Sequence, residues 1–209
     1  MPGGYANKTL AEFIDLAASG DPVPGGGGVA ALAGALGAAM ASMAANFTVG
    51  RPRYAEYDAE ARQVVEALRP VIAGLRDAVD GDAEAFLSVS AAYRLPKSAD
   101  DEKEARGKAI EAALLASLAV PEKALDLALE AALLLPRLAE YANANLLSDV
   151  EVAAIMLEAA ARAARVNILV NAAQLAGKGR AAADGSREKL TRVGDLARAA
   201  LAAVAKRRA

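Results

Sequence analysis

The chain has 209 residues and a formal net charge of −2 at pH 7, from 24 basic and 26 acidic side chains. This length suits one domain with a sizeable core, so we predict a single domain over residues 1–209. The near balance of charge gives no electrostatic reason to expect nucleic acid or a membrane as partner. The chain has no Cys and no His, which excludes disulfides, thiolate nucleophiles and the commonest general base and metal ligand. We therefore expect no metal, and any acid–base chemistry to use carboxylates, Lys, Tyr or backbone groups.

The composition predicts an all-α helical bundle without a sheet. Hydrophobic residues make up 55% of the chain, many of them Ala, and aromatic residues only 4%. Ala favours helix, whereas strands prefer β-branched and aromatic residues. The N-terminus lacks a charged region followed by an apolar run, so we expect no export signal and a cytoplasmic location.

Capping and periodicity signals place the helices in chain order. Thr9–Glu12 and Ser148–Glu151 have the spacing of capping boxes, and Pro121 stands at a first-turn position that starts a new helix. Pro70 and Gly81 predict kinks or breaks within a longer helix. The predicted helices cover residues 10–19, 28–48, 57–93, 99–118, 121–141, 148–176 and 184–206.

The segment Pro22–Gly50 contains no charged side chain and predicts a central Ala/Gly-rich helix. At helical spacing, one face carries bulky residues and the opposite face small ones. The bulky residues are Leu32, Leu36, Met40, Met43 and Phe47, and the small ones are Ala30, Gly34, Gly37, Ala41 and Ala45. We predict burial of both faces. The four glycines before the helix would allow positive φ and bring backbone N–H groups close to a ligand.

Other interpretations of this segment fit less well. A membrane-spanning helix fits the length, but Ser42 and Asn46 interrupt the apolar run. A Walker-type phosphate loop needs a Lys where Val29 stands, and a dinucleotide-binding turn needs a preceding strand, whereas residues 10–19 predict a helix. A plain buried helix with a flexible leader stays open as an alternative.

Polar residues at helical spacing form two further groups. Asp82, Phe86, Val89, Tyr93 and Lys97 share one face, which favours either a pocket for a flat ligand or, more simply, a solvated Asp and a Lys near the helix C-terminus. A second group, Asn167, Asn171 and Gln174, lies in an apolar run. Buried amides need partners, which are either another helix or a ligand.

These motifs, taken in order, resemble the cyclodeaminase/cyclohydrolase family of folate enzymes over nearly the whole chain. The matching stretches are Pro-x-Pro-Gly-Gly-Gly-Gly at residues 22–28, Asp82-Ala-Glu-Ala-Phe86, Ala92-Tyr-Arg-Leu-Pro-Lys97, Asn145-x-x-Ser148-Asp149 and Asn167-Ile-x-Val-Asn171. One position departs from the family pattern, because the usual Gly before the Asn145 segment is replaced by Ala142 or Asn143.

The resemblance implies a small all-α, homodimeric enzyme that binds tetrahydrofolate and needs no cofactor beyond that substrate. Methenyltetrahydrofolate cyclohydrolase is the first expectation, and formiminotetrahydrofolate cyclodeaminase is the alternative. A non-catalytic folate carrier or dimeric scaffold is an alternative of another class. We expect the site to lie at a subunit contact, because a thin bundle offers little depth for a pterin.

The resemblance also implies roles for particular residues. Asp82 or Asp149 would lie near the reacting carbon, and Lys97 would donate a proton or pair with a substrate carboxylate. The glycine N–H groups would hold a carbonyl or carboxylate, two amides would read the pterin edge, and two arginines would meet the glutamate tail. These substrate-binding candidates are Gly26, Gly27, Asn145, Asn171, Arg51 and Arg53.

Overall fold

The computed structural model describes residues 4–175 and 177–209. These residues form six α-helices and contain no β-strand, which confirms the all-α prediction. The helices are α1 (Leu10–Ala17), α2 (Gly26–Asn46), α3 (Asp58–Tyr93), α4 (Asp100–Tyr141), α5 (Leu147–Ala173) and α6 (Arg180–Arg208). Short 3₁₀ turns cover Pro52–Tyr57 and Ala144–Leu146, the latter directly before α5.

The core lies where α2 packs on α3 and α5, with α4 and α6 completing the bundle. Large aliphatic side chains from α3, α4 and α5 fill it, and many alanines fit between them. The fully buried ones include Leu68, Leu75, Leu125, Leu135, Leu138, Leu157 and Ile168. The buried residues of α2 are all Gly or Ala, so α3 and α5 can pack closely against its backbone.

The small-residue face of α2 is buried, as predicted. A Cβ atom added at Gly34 would lie 3.1 Å from Leu75 Cδ2, and one at Gly37 would lie 3.0 Å from Leu157 Cγ. There is no room for a larger side chain at either position without a shift of the neighbouring helix.

Most of the bulky face of α2 is exposed, so the predicted burial of both faces is wrong there, whereas Leu32 and Met40 are half-buried against the core. Leu36, Met43 and Phe47 are 48%, 37% and 43% exposed. The reason is that α3 and α5 both pack on the small-residue side. Within the described part of the chain, α2 alone is long and apolar enough to cross a membrane; 56% of its most apolar window is buried, as in the core helix of a bundle.

The helices α3 and α4 run unbroken through their prolines. The predicted break at Pro121 is wrong, since α4 continues over 42 residues and contains both Pro121 and Pro136. Pro121 has no N–H to donate to the carbonyl of Ser117, one turn earlier. The side-chain Nδ2 of Asn171 donates to that carbonyl instead, at 2.8 Å. Tertiary packing thus replaces the missing helical hydrogen bond.

One of the two predicted capping boxes is present. The N–H of Glu12 donates to Thr9 Oγ1 at 3.2 Å, and the N–H of Thr9 donates to Glu12 Oε2 at 2.8 Å. The box at Ser148 is wrong, because α5 already begins at Leu147 and Ser148 Oγ contacts Asp149 Oδ2 at 3.5 Å. The predicted end of this helix at Ala176 lies outside the described residues.

Candidate active site

A cavity of about 280 Å³ opens at the N-terminal end of α2, between α3, α4 and α5. The glycine turn forms its floor, and α3 contributes Asp82 and the apolar side chains of Phe86 and Val89. The remaining polar lining comes from Ser117 on α4, from the amide side chains of Asn167 and Asn171 on α5, and from Gln174 directly after α5. Three helices that are distant in sequence therefore supply one concave, partly polar site.

Asp82 is the half-buried carboxylate of this cavity. Its Oδ2 accepts a hydrogen bond from the backbone N–H of Gly28 at 2.9 Å. Burial raises the pKa of Asp82 above its ordinary value, and the hydrogen bond from Gly28 partly opposes that rise. A carboxylate with a raised pKa in a cleft is a typical candidate for proton transfer.

The glycine turn is required here by close approach. A Cβ atom added at Gly27 would lie 2.0 Å from Asp82 Oδ1, whereas one at Gly26 would lie 3.8 Å from the amide of Asn167. Within the described residues, the N–H groups of Gly26 and Gly27 meet no hydrogen-bond acceptor. The first N–H groups of a helix attract anionic or carbonyl groups, so the predicted role of these two glycines stays a prediction.

The amides of Asn167 and Asn171 line the cavity and are held by the backbone. Asn171 donates its Nδ2 to the carbonyl of Ser117 at 2.8 Å, and Asn167 donates its Nδ2 to the carbonyl of Ala163 at 2.9 Å. One N–H of each amide is therefore engaged with the backbone, and among the residues that the structure describes neither Oδ1 has a hydrogen-bond donor. The sequence analysis did not identify Ser117 as a site residue. The available signal was Pro121, four residues later, because a proline leaves the Ser117 carbonyl without its helical donor.

A second depression, of about 510 Å³, lies at the opposite end of α2. Arg51, Arg53 and Asn145 line it together, with Tyr54 beside them. Asn143 builds its wall: its N–H donates to Thr48 Oγ1 at 2.9 Å and its Nδ2 to the carbonyl of Phe47 at 3.0 Å.

The departure from the family pattern before Asn145 leaves the backbone path intact. Ala142 and Asn143 have φ values of −49° and −48°, so neither position requires a Gly. The N–H of Asn145 donates to Asn143 Oδ1 at 3.1 Å. The replacement residue thus itself orders the segment.

The predicted site residues fall into separate places in one chain. Because α2 has 21 residues, about 30 Å separates its two ends. Lys97 lies in an exposed segment after α3, which runs about 16 Å beyond Asp82 along its axis. Asp149 is in the first turn of α5, and neither it nor Lys97 lines either pocket. Asp82, Gly26 and Asn171 come together; Arg51, Arg53 and Asn145 form the other group.

Residues 9–188 match the family model for formiminotransferase-cyclodeaminase. The chain belongs to this family. A methenyltetrahydrofolate cyclohydrolase from Methylorubrum extorquens is 41% identical over 166 residues, which cover 79% of this chain and 80% of that protein. A formimidoyltransferase-cyclodeaminase from Rattus norvegicus is 36% identical over 165 residues, 79% of this chain but only 30% of the rat protein.

The fold agrees with this assignment. The crystal structure of formiminotetrahydrofolate cyclodeaminase from Thermotoga maritima matches with a TM-score of 0.84 and 29% sequence identity, covering 95% of this chain and 96% of that one. The family resemblance of the sequence motifs is thereby confirmed. Relatives of this formiminotransferase-cyclodeaminase family member thus include both a cyclohydrolase and cyclodeaminases.

The cavity of this family member has the chemical groups that a cationic, flat substrate requires. Asp82 offers negative charge, Phe86 an aromatic surface that is 44% exposed, and the α5 amides fixed acceptors. A carboxylate held by a backbone N–H is preorganised, so it needs little rearrangement as charge changes during a reaction.

Proposed function

We propose that this protein is a methenyltetrahydrofolate cyclohydrolase, which converts 5,10-methenyltetrahydrofolate and water into 10-formyltetrahydrofolate. The observation that carries this proposal is the Asp82 carboxylate, half-buried against an apolar wall and held by Gly28. The 41% identity to the Methylorubrum extorquens cyclohydrolase, over 80% of that protein, supports the choice of reaction.

The proposed reaction uses the substrate's own positive charge. Water attacks the amidinium carbon, and the Asp82 carboxylate takes a proton from the attacking water. The bond from that carbon to N5 then breaks as Asp82 passes this proton to N5. The remaining hydroxyl proton is released to solvent as the formyl C=O forms, and the formyl group stays on N10. Before attack, the carboxylate stabilises the cation. Its raised pKa brings it nearer to the pH at which it works, which favours proton transfer in both directions.

Asp82, rather than Asp149, takes the catalytic role in this proposal, because Asp82 lines the cavity and Asp149 does not. For Lys97 we retain the role of partner for a substrate carboxylate. Its exposed position beyond the end of α3 suits the far, anionic end of an extended folate better than proton transfer beside Asp82.

Formiminotetrahydrofolate cyclodeaminase is the second candidate. The structural match to the Thermotoga maritima cyclodeaminase over 95% of this chain favours it. That reaction forms the same methenyl cation by expelling ammonia, so the same carboxylate would serve both reactions.

We further propose a homodimer that joins the two halves of the site. Val29, Leu36 and Met43 recur every seven residues on the exposed face of α2, the spacing of a helix–helix seam. Leu36 is the midpoint of α2, so an antiparallel pair of α2 helices about a twofold axis there would place unlike ends side by side. The arginine pair of one copy would then lie near Asp82 of the other.

The decisive experiment is to mix the protein with 5,10-methenyltetrahydrofolate and follow the loss of its near-ultraviolet absorbance. A no-enzyme control in the same buffer and at the same pH corrects for spontaneous hydrolysis. Acceleration supports the cyclohydrolase. Binding without acceleration, together with ammonia release from 5-formiminotetrahydrofolate, would assign the cyclodeaminase. Binding without either reaction would indicate a carrier.

A further inference from the structure

We propose that the missing N–H of Pro121 fixes Asn171 as a hydrogen-bond acceptor, and that this acceptor selects the amino-bearing edge of the pterin. The inference rests on the proposed function, since it takes a folate as the ligand. It adds a positioning residue, Pro121, and a rule for which ligand edge the α5 wall accepts.

The first step concerns the carbonyl of Ser117. In a regular helix it would accept the N–H of the residue four positions later, which here is Pro121 and has none. Ser117 is 7% exposed, so water has little access to it. A buried carbonyl without a partner is costly, and Asn171 Nδ2 supplies the partner at 2.8 Å across the α4–α5 contact.

The second step concerns the orientation of the Asn171 amide. If the amide were rotated by half a turn, its oxygen would face the carbonyl oxygen of Ser117, and two acceptors would repel each other. The Pro121–Ser117 pair therefore permits only the orientation with Nδ2 toward α4. Asn171 Oδ1 is left for a cavity ligand.

Asn167 shows the same polarity one turn earlier on α5. Its Nδ2 donates to the carbonyl of Ala163 at 2.9 Å, which leaves its Oδ1 as the second acceptor. Neighbouring turns of a helix place the Cβ atoms of residues four apart about 5 to 6 Å from each other, so the two amides lie side by side on α5. The α5 wall thus offers two acceptor oxygens in a row, and a ligand edge with two donors fits it.

The pterin ring has one such edge, made by its 2-amino group and N3–H. The opposite side of the bicyclic system bears N5 and the methenyl carbon. With the donor edge on α5, the reacting carbon points away from α5, toward α3 and Asp82. The glycine turn supports this arrangement, because Gly26 lies against Asn167 and Gly27 lies against Asp82.

The test compares two ligands by isothermal titration calorimetry. One is 5-formyltetrahydrofolate, and the other is its 2-deamino-2-oxo analogue, in which an acceptor replaces the amino donor. Wild-type protein should prefer the amino compound roughly tenfold or more, because the analogue places oxygen against oxygen. Asn171→Ala should lose most of that preference.

Pro121→Ala tests the positioning role. The new N–H can satisfy the Ser117 carbonyl, so the Asn171 amide becomes free to rotate and the preference should fall to about threefold or less. With methenyltetrahydrofolate, KM should rise several-fold while kcat stays within about twofold. Pro136→Ala is the matched control, because Pro136 lies in the same helix but does not line the cavity.

The outcomes separate this inference from the proposed function. If wild type hydrolyses methenyltetrahydrofolate but Pro121→Ala keeps the full ligand preference, the positioning inference is overturned and the cyclohydrolase stands. The same holds if wild type binds both ligands equally. If wild type binds neither ligand but hydrolyses methenyltetrahydrofolate, the inference is again overturned alone; if it also fails to hydrolyse that substrate, both proposals fall. A preference that drops in Pro121→Ala and Asn171→Ala but not in Pro136→Ala supports the inference.

Discussion

The Oδ2 atom of Asp82 accepts the backbone N–H of Gly28 at 2.9 Å, although 54 positions separate the two residues. This contact joins the N-terminus of α2 to the middle of α3 and fixes the carboxylate at the floor of the cavity. Burial raises the pKa of Asp82, and the hydrogen bond from Gly28 favours the ionised form and limits that rise.

Asp82→Asn separates the charge of this residue from its hydrogen bond. The Asn oxygen can still accept from Gly28, so the fold should persist, whereas kcat should fall roughly 10²- to 10⁴-fold through loss of the base. Asp149→Asn is the matched control and should retain most activity. Wild-type turnover by Asp82→Asn would remove Asp82 from the catalytic role.

The same variant has an expected signature in stability. Because the pKa of Asp82 is raised in the folded state, the native protein binds more protons than the unfolded chain between the ordinary pKa of 3.8 and the raised value. Stability therefore falls as pH increases through that window. Asp82→Asn avoids this loss, so its free energy of unfolding should exceed that of wild type at pH 7 and converge with it below pH 3.8. Urea titrations at both pH values provide the measurement.

Gly27→Ala should inactivate the enzyme without unfolding it. The added Cβ would occupy the present position of Asp82 Oδ1, but that carboxylate can rotate away because it ends a side chain. We expect a loss of kcat of about 10²-fold or more, with little change in melting temperature. Gly185→Ala makes the same change within α6, where an added Cβ meets nothing within 4 Å. Equal activity of the two variants would contradict the close-approach argument.

Leu36→Glu should disrupt the proposed dimer. It places a charge at the midpoint of the exposed α2 seam, where two copies would bring like charges together. Sedimentation velocity should show a monomer, and turnover should drop with it. Leu133→Glu is the control, since Leu133 is 43% exposed on α4. A Leu36→Glu protein that sediments as a dimer would exclude this seam as the interface.

The double variant Arg51→Gln/Arg53→Gln tests the tail-binding role of the second depression. With a triglutamate substrate, KM should rise roughly tenfold while kcat changes little, because charge-assisted contacts to the remote carboxylates are lost. A monoglutamate substrate should be less affected. Arg69→Gln/Arg76→Gln removes two exposed charges of α3 as a control. An equal effect on both substrates would argue against tail recognition.

Local sequence signals predicted the helices because each helix has its own hydrophobic periodicity and its own capping or breaking residues. The Thr9 capping box and the alternation of bulky and small residues along α2 are readable within a few turns. Pro121 shows the limit of such signals. A proline inside a pattern predicts a break, but the donor that compensates for it, Asn171, is 50 residues away and reaches Ser117 only in the folded chain.

The sequence predicted individual residues of the candidate site, but it did not predict which of them lie close together. Helical spacing put Asp82 and Lys97 on one face, but the helix that joins them also holds them apart. Asp82 and Asn171 have no local relation, and the close packing of α2 on both α3 and α5 is what brings them to one cavity. The sequence predicted burial of the exposed face of α2 because that face is apolar. An apolar face indicates contact with another surface, but it does not indicate whether the same chain or a second molecule provides it.

Because about 30 Å separates the two ends of α2, subunits with different defects should complement each other if unlike ends meet across a twofold axis. Each site would then combine Asp82 of one subunit with Arg51 and Arg53 of the other. Asp82→Asn and Arg51→Gln/Arg53→Gln would therefore alter the parts of a site that come from different subunits. A mixed dimer of the two impaired chains would contain one site with both defects and one with none. The assay uses triglutamate substrate well below KM, where the arginine variant alone should have only about a tenth of wild-type activity. Refolding the two variants together should then give about a quarter of wild-type activity, because half of the randomly formed dimers are mixed and each has one intact site of two.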